Sequence, residues 1–157
     1  MKESKSKQFY SFLKRWFVST AFISLITFLQ FYWSMETFSD RISSGCPECS
    51  FFEDAVFISL TTGIFLSIVF SLFFFVKRII LRASVEFLLL ILVWLFWNYT
   101  IFVDRESSWS TYDVTSEIQY TVSLSYLSVI LLGCLCIWIL HYQEIKARFV
   151  FCKNKHH

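Results

Sequence analysis

The stretch AVFISLTTGIFLSIVFSLFFFV, residues 55–76, decides the fold, because it runs from Asp54 to Lys77 without a charged residue. A helix of about 20 apolar residues crosses the roughly 30 Å hydrocarbon core of a bilayer, and this stretch is long enough to do so. Similar uncharged stretches lie between Arg15 and Glu36, between Glu86 and Asp104, and between Glu117 and Glu144. We therefore predict an all-α membrane protein, a bundle of four transmembrane helices.

The composition supports this prediction. The chain of 157 residues is 56% hydrophobic and contains 20 Phe and 6 Trp, against 3 Gly and 1 Pro. A water-soluble domain of this size could not cover so much apolar surface. Lipids are therefore expected to solvate the outside of the bundle.

Charged residues are divided unequally between the segments that connect the helices. Twelve of the 14 basic residues precede the first stretch, fill the connection after the second, or follow the fourth. The other two connections contain only Arg41 and Arg105, and they carry nine of the 12 acidic residues. Because short basic flanks stay in the cytosol, both chain ends are predicted to be cytosolic. The basic residues would face anionic lipid, and no nucleic acid partner is expected.

These features predict one domain with nine consecutive segments. They are a basic cytosolic arm (1–15), helix 1 (16–35), an outer loop (36–54), helix 2 (55–76), a cytosolic turn (77–83), helix 3 (84–103), a second outer loop (104–117), helix 4 (118–142) and a basic cytosolic tail (143–157). The outer loops contain Gly, Pro and Ser turn formers, so we expect compact polar caps or short strands.

Small residues recur every fourth position on the second helix. They are Ser59, Gly63, Ser67 and Ser71. Small side chains let helix backbones approach closely within a bilayer, so this stripe is predicted to contact another helix. The spacing leaves open whether that helix belongs to the same chain or to a partner protein.

Few polar groups are expected deep in the membrane. Glu86 and His141 lie near helix ends, and we expect each to reach the membrane surface. Asn98 is the one strongly hydrogen-bonding amide placed to bond across helices. Deep ionisable groups usually mark ion and proton paths, so their scarcity disfavours a transporter.

Cys46-Pro47-Glu48-Cys49 is the one motif with redox chemistry. Two cysteines at this spacing can form a reducible disulfide in an oxidising compartment. The topology and this pair resemble the bacterial disulfide-generating membrane proteins of the DsbB type, which implies Cys46 as nucleophile and Cys49 as resolving thiol. That family relays electrons through a second pair in its second outer loop, where this chain has no cysteine. We predict a structural disulfide, with catalysis as the alternative.

The carboxyl-terminal segment carries two candidate signals. Cys152 lies in a basic juxtamembrane segment typical of palmitoylated cysteines. Lys153 and Lys155 resemble the dilysine signal that returns membrane proteins from the Golgi to the endoplasmic reticulum. This resemblance implies endoplasmic reticulum or Golgi residence, with the plasma membrane as the alternative.

The architecture is similar to the MARVEL and claudin-like tetraspans, although the claudin loop signature is absent. The sequence favours a non-enzymatic scaffold, assembly factor or sorting partner of the eukaryotic secretory pathway. It would bind another integral membrane protein or a second copy of itself, without a cofactor or metal. A thiol–disulfide oxidoreductase using Cys46 and Cys49 is the alternative, and a small-solute channel or transporter is the third.

Overall fold

A computed structural model describes the backbone of residues 2–73, 76 and 78–153, and the side chains of residues 10, 13–73, 76 and 78–142. Four α-helices account for most of it: α1 (Lys2–Met35), α2 (Phe51–Leu72), α3 (Ile79–Arg105) and α4 (Val114–Lys153). Short 3-10 turns, Glu36–Phe38 and Ser107–Trp109, follow α1 and α3. The described residues contain no strand, so the loops form turns rather than the short strands that the sequence also allowed.

The prediction of an all-helical protein with four membrane-length helices is confirmed. Four helical segments are long and apolar enough to cross a bilayer: Leu13–Phe38, Phe51–Leu72, Ile79–Trp109 and Val114–Tyr142. The first and third of these include the 3-10 turns that follow α1 and α3. α1, α3 and α4 extend beyond their predicted spans, whereas α2 begins before the predicted residue 55 and ends before the predicted residue 76. α1 is continuous from Lys2, and α3 begins at Ile79.

Contacts between side chains define how the helices run. Thr20 bonds Ser67, and Ser24 lies against Gly63, so α1 and α2 are antiparallel. α3 and α4 are also antiparallel, since Glu86 in the first half of α3 contacts His141 in the second half of α4. Tyr99, near the end of α3, contacts Glu117 at the start of α4. α1 and α3 are parallel, because Trp94 bonds Thr27 and, further along, Phe102 packs on Phe38. α1 packs mainly on α2 and then α4, and α3 packs mainly on α4.

The small-residue stripe of α2 contacts another helix of the same chain, α1. Ser59, Gly63 and Ser67 are buried, and the Ser67 hydroxyl accepts a hydrogen bond of 2.7 Å from Thr20. A Cβ atom at Gly63 would lie 2.9 Å from the carbonyl oxygen of Thr20. The stripe therefore lets α1 and α2 approach closely. Ser71 is half-buried and bonds the Ser67 carbonyl of its own helix.

Two apolar clusters fill the bundle. One lies near the loops and contains Phe31, Met35, Phe38, Phe51, Ala55, Ile58, Ile101 and Phe102. The other lies nearer the α2–α3 connection and contains Ile23, Ile26, Leu66, Leu90, Trp94, Val129 and Cys136. The polar side chains described below lie at the two ends of the bundle and between these clusters.

Candidate functional site

The loops at one end of the bundle form a cap, defined here as residues 36–50 and 106–113. Its disulfide turn leads directly into α2. Cys46 and Cys49 are disulfide-bonded, with Cα atoms 5.3 Å apart, so the predicted pairing of these cysteines is confirmed. The Ser50 hydroxyl then accepts from the Glu53 amide, and the Glu53 carboxylate accepts from the Ser50 amide. This capping box begins α2 immediately after the disulfide.

Arg105, at the last turn of α3, fastens the cap to the bundle. Its guanidinium group is 2% exposed and pairs with the Asp54 carboxylate at 2.5 Å. It also donates to two loop carbonyl oxygens, that of Arg41 at 2.6 Å and that of Cys49 at 3.3 Å. It stacks over Phe51, 5.5 Å from the ring centre. One buried cation thus joins α3, the first loop and the start of α2.

The neighbouring residue, Asp104, fixes the same loop from its other side. Its carboxylate accepts hydrogen bonds from the Ser44 hydroxyl at 2.8 Å and from the Gly45 amide at 2.9 Å. The Trp109 indole donates to the Ile42 carbonyl oxygen at 3.1 Å. The first loop is therefore held by α3 and by the second loop as well as by its disulfide.

The second loop is anchored to α4. The Glu117 carboxylate accepts from the Ser107 hydroxyl and, at 2.8 Å, from the Tyr99 hydroxyl. Asp113 precedes α4 and accepts from the hydroxyl and amide of Ser116. The Ser116 hydroxyl bond lowers the pKa of the Asp113 carboxyl below its ordinary value. The second loop is therefore tied to the start of α4.

The cap nevertheless presents an exposed surface. Pro47 and Glu48 form its exposed tip, with the two cysteines half-buried beside them. Ile42 and Trp109 are 61% and 63% exposed. The cap therefore combines a fixed backbone with accessible side chains.

Sequence reasoning missed the contacts of Arg105 and Asp104. A signal for them was present, because Arg41 and Arg105 are the only basic residues among nine acidic ones in the two loops. The structure pairs both, Arg105 with Asp54 and Arg41 with Glu106 at 3.1 Å. Charge complementarity could thus have indicated ion pairs in the cap, although not which acid each arginine takes.

The prediction that Glu86 and His141 each reach the membrane surface is wrong. They are 3% and 2% exposed, and the His141 Nε2 atom lies 2.7 Å from the Glu86 carboxylate. Arg82 joins them, 3.3 Å from Glu86 and 3.1 Å from the His141 Nδ1 atom. Because a guanidinium group only donates, Nδ1 accepts, and the hydrogen on Nε2 points to Glu86. The hydrogen bond between Glu86 of α3 and His141 of α4 therefore takes the place of solvation by water at the membrane surface.

Asn98 is fully buried on α3, but its side chain makes no hydrogen bond to another described residue. The expected amide bond between helices is thus absent from the described part of the chain. Cys152, Lys153 and Lys155 lie outside the described side chains, so their predicted roles stay predictions. Among the described residues, no group of three His, Cys, Asp or Glu residues is arranged to hold a metal ion.

The fold and the cap define a class: an all-helical protein with four membrane-length helices and a disulfide-bonded loop cap. No protein-family model, curated protein or solved structure matches the chain.

Proposed function

We propose that this is a non-enzymatic integral membrane protein that uses its cap to bind another integral membrane protein, as a scaffold, assembly factor or sorting partner. The observation that carries this proposal is the attachment of the cap to α3 through Arg105 and Asp104. A surface that is already ordered loses little conformational entropy when it binds a partner. The exposed cap side chains would then supply the contacts.

The proposal includes an orientation. Both chain ends and the turn between α2 and α3 face the cytosol, and the cap faces the exoplasmic side. The division of basic residues between connections supports this orientation. The disulfide supports it independently, because such bonds persist in oxidising compartments. A secretory-pathway membrane of a eukaryotic cell, with endoplasmic reticulum or Golgi residence, fits both observations.

The test is crosslinked co-purification from native membranes followed by mass spectrometry. We expect one membrane protein, or a second copy of the chain, to be recovered together with the wild-type protein in a constant ratio. Glu48→Arg reverses a charge at the exposed tip and should reduce that recovery about tenfold, as a hot-spot contact would. Lys14→Glu also reverses an exposed charge, but near the start of α1 and outside the cap, and is the matched control. Equal recovery with Glu48→Arg and the wild type would exclude the tip as the contact.

A thiol–disulfide oxidoreductase is the second candidate, and one observation favours it. The Cys46–Cys49 bond is half-exposed at the cap tip, where a partner thiolate could reach it. Its reduction to two thiols would oxidise a partner dithiol to a disulfide. Cys46→Ser with Cys49→Ser separates the candidates. Scaffolding predicts that partner recovery survives, because Arg105 and Asp104 still hold the loop, whereas catalysis predicts loss of activity and of trapped mixed disulfides.

A further inference from the structure

The middle of the bundle contains buried polar atoms that the described protein does not satisfy. Both side-chain polar atoms of Asn98, at 0% exposure, lack a hydrogen-bond partner, and so does the Oε1 atom of Gln30, at 1% exposure. An amide side chain offers two donor hydrogens and two acceptor lone pairs. Each buried polar group left unpaired is costly, and most costly where the surroundings are hydrocarbon.

The contacts of α3 with α1 place Asn98 at the level of Gln30. One turn before Asn98, Trp94 donates to the Thr27 hydroxyl at 3.0 Å, and one turn after it, Phe102 packs on Phe38. Because α1 and α3 run parallel, Asn98 faces the part of α1 between Thr27 and Phe38. Gln30 lies in that part, and its Nε2 atom donates to Ser34 at 2.7 Å.

The contacts of α3 with α4 bracket Asn98 in the same way. A Cβ atom at Gly133 would lie 3.7 Å from the Trp94 ring, and the Phe102 ring stacks on Tyr120 at 6.1 Å. The part of α4 between these two residues contains the fully buried hydroxyls of Ser125 and Ser128. The Ser128 hydroxyl lies 2.5 Å from that of Ser34.

Three helices therefore direct polar side chains toward one level of the bundle. From the unpaired atoms of Asn98 and Gln30, together with these hydroxyls, we infer an internal water-binding site between α1, α3 and α4. A bound water molecule needs two to four polar partners, and this level offers them. The ligand is neutral, because the described side chains at this level are amides and hydroxyls. The water would join α1 to α3 through Asn98.

X-ray hydroxyl-radical footprinting of the wild-type protein in nanodiscs tests the site directly, because radicals formed from a bound water label the side chains around it. Trp94 and Phe102 are the reporters, since both are buried and lie one turn from Asn98. We expect labelling of these two residues despite their burial, with slow uptake of 18O from labelled bulk water. The exposed Trp138 is the reference for bulk solvent. Absence of labelling at both reporters overturns the inference.

Variants test which residues hold the water. Asn98→Leu and Ser128→Ala should each reduce labelling of the reporters several-fold, whereas Ser123→Ala, which alters an exposed hydroxyl of the same helix, should not. Asn98→Leu should also lower the melting temperature by about 5 °C, because the bonds made through water are lost. A higher melting temperature would show that the amide was buried dry, and unchanged labelling would show that Asn98 does not hold the water. If Asn98→Leu does not fold, the labelling of the reporters in the wild type and in Ser128→Ala tests the site instead.

Discussion

The absence of a side chain at Gly63 allows α1 and α2 to pack closely. Because its missing Cβ leaves room for the Thr20 carbonyl and the Ser24 hydroxyl, Gly63→Ala should push α1 and α2 apart and cost about 1–3 kcal/mol. Thermal unfolding in bicelles measures the loss. Gly45→Ala is the matched control, since a Cβ there would meet its nearest atom at 3.4 Å and should change stability by less than about 0.5 kcal/mol. Equal effects of the two substitutions would contradict the close contact.

Arg105 should be the most sensitive charged residue of the cap. Arg105→Met leaves the Asp54 carboxylate and two loop carbonyls without their shared donor, and the loss should be about 3 kcal/mol. Limited proteolysis of the first loop should become markedly faster. Arg41→Ala is the control, because that arginine is exposed and its pair with Glu106 should contribute at most about 1 kcal/mol. A loop that is cut equally slowly in both variants would show that Arg105 does not fasten it.

At the scale of helices, Glu86 and His141 should act as a unit that joins α3 to α4. Glu86→Leu removes the carboxylate to which the buried imidazole donates and should cost about 3 kcal/mol. Adding His141→Leu removes the second polar group. The loss of stability in the double variant should therefore be smaller than the sum of the two single losses, by at least about 1 kcal/mol. A double-mutant cycle of melting temperatures measures this coupling. Strict additivity would mean that the two residues do not interact.

The helices were predictable, and their polar contacts were not, for a physical reason. A charge-free stretch such as residues 55–76 signals a spanning helix on its own, because the bilayer sets the required length. The position of Glu86 misled the prediction, since a lone carboxylate would seek the membrane surface. Only the folded arrangement shows that His141, 55 positions away, satisfies it. Likewise, the spacing of Gly63 indicated a contact, but its partner became evident only with α1 in place.

For the whole molecule, the proposed orientation predicts which segments a protease can reach. An epitope inserted after Ser110, in the exposed second loop, should be digested by protease added to the exoplasmic side of sealed vesicles. An epitope fused before Lys2 should survive that treatment and be digested only after the vesicles are opened. The charge distribution is the physical reason. The reverse pattern would overturn the proposed orientation, and with it the proposed role of the cap as an outward binding surface.

α3 is fastened near both of its ends, by Glu86 to α4 and by Arg105 to the cap and α2. The two anchors are separated by 19 residues, about 28 Å of continuous helix. A slide of α3 along its axis would have to break the Glu86–His141 hydrogen bond and the Arg105–Asp54 ion pair together, whereas a tilt about one anchor would disturb only the contact at the other. A force on the first loop is accordingly expected to tilt α3 rather than to slide it, and so to reach the other end of the bundle as a change in helix tilt.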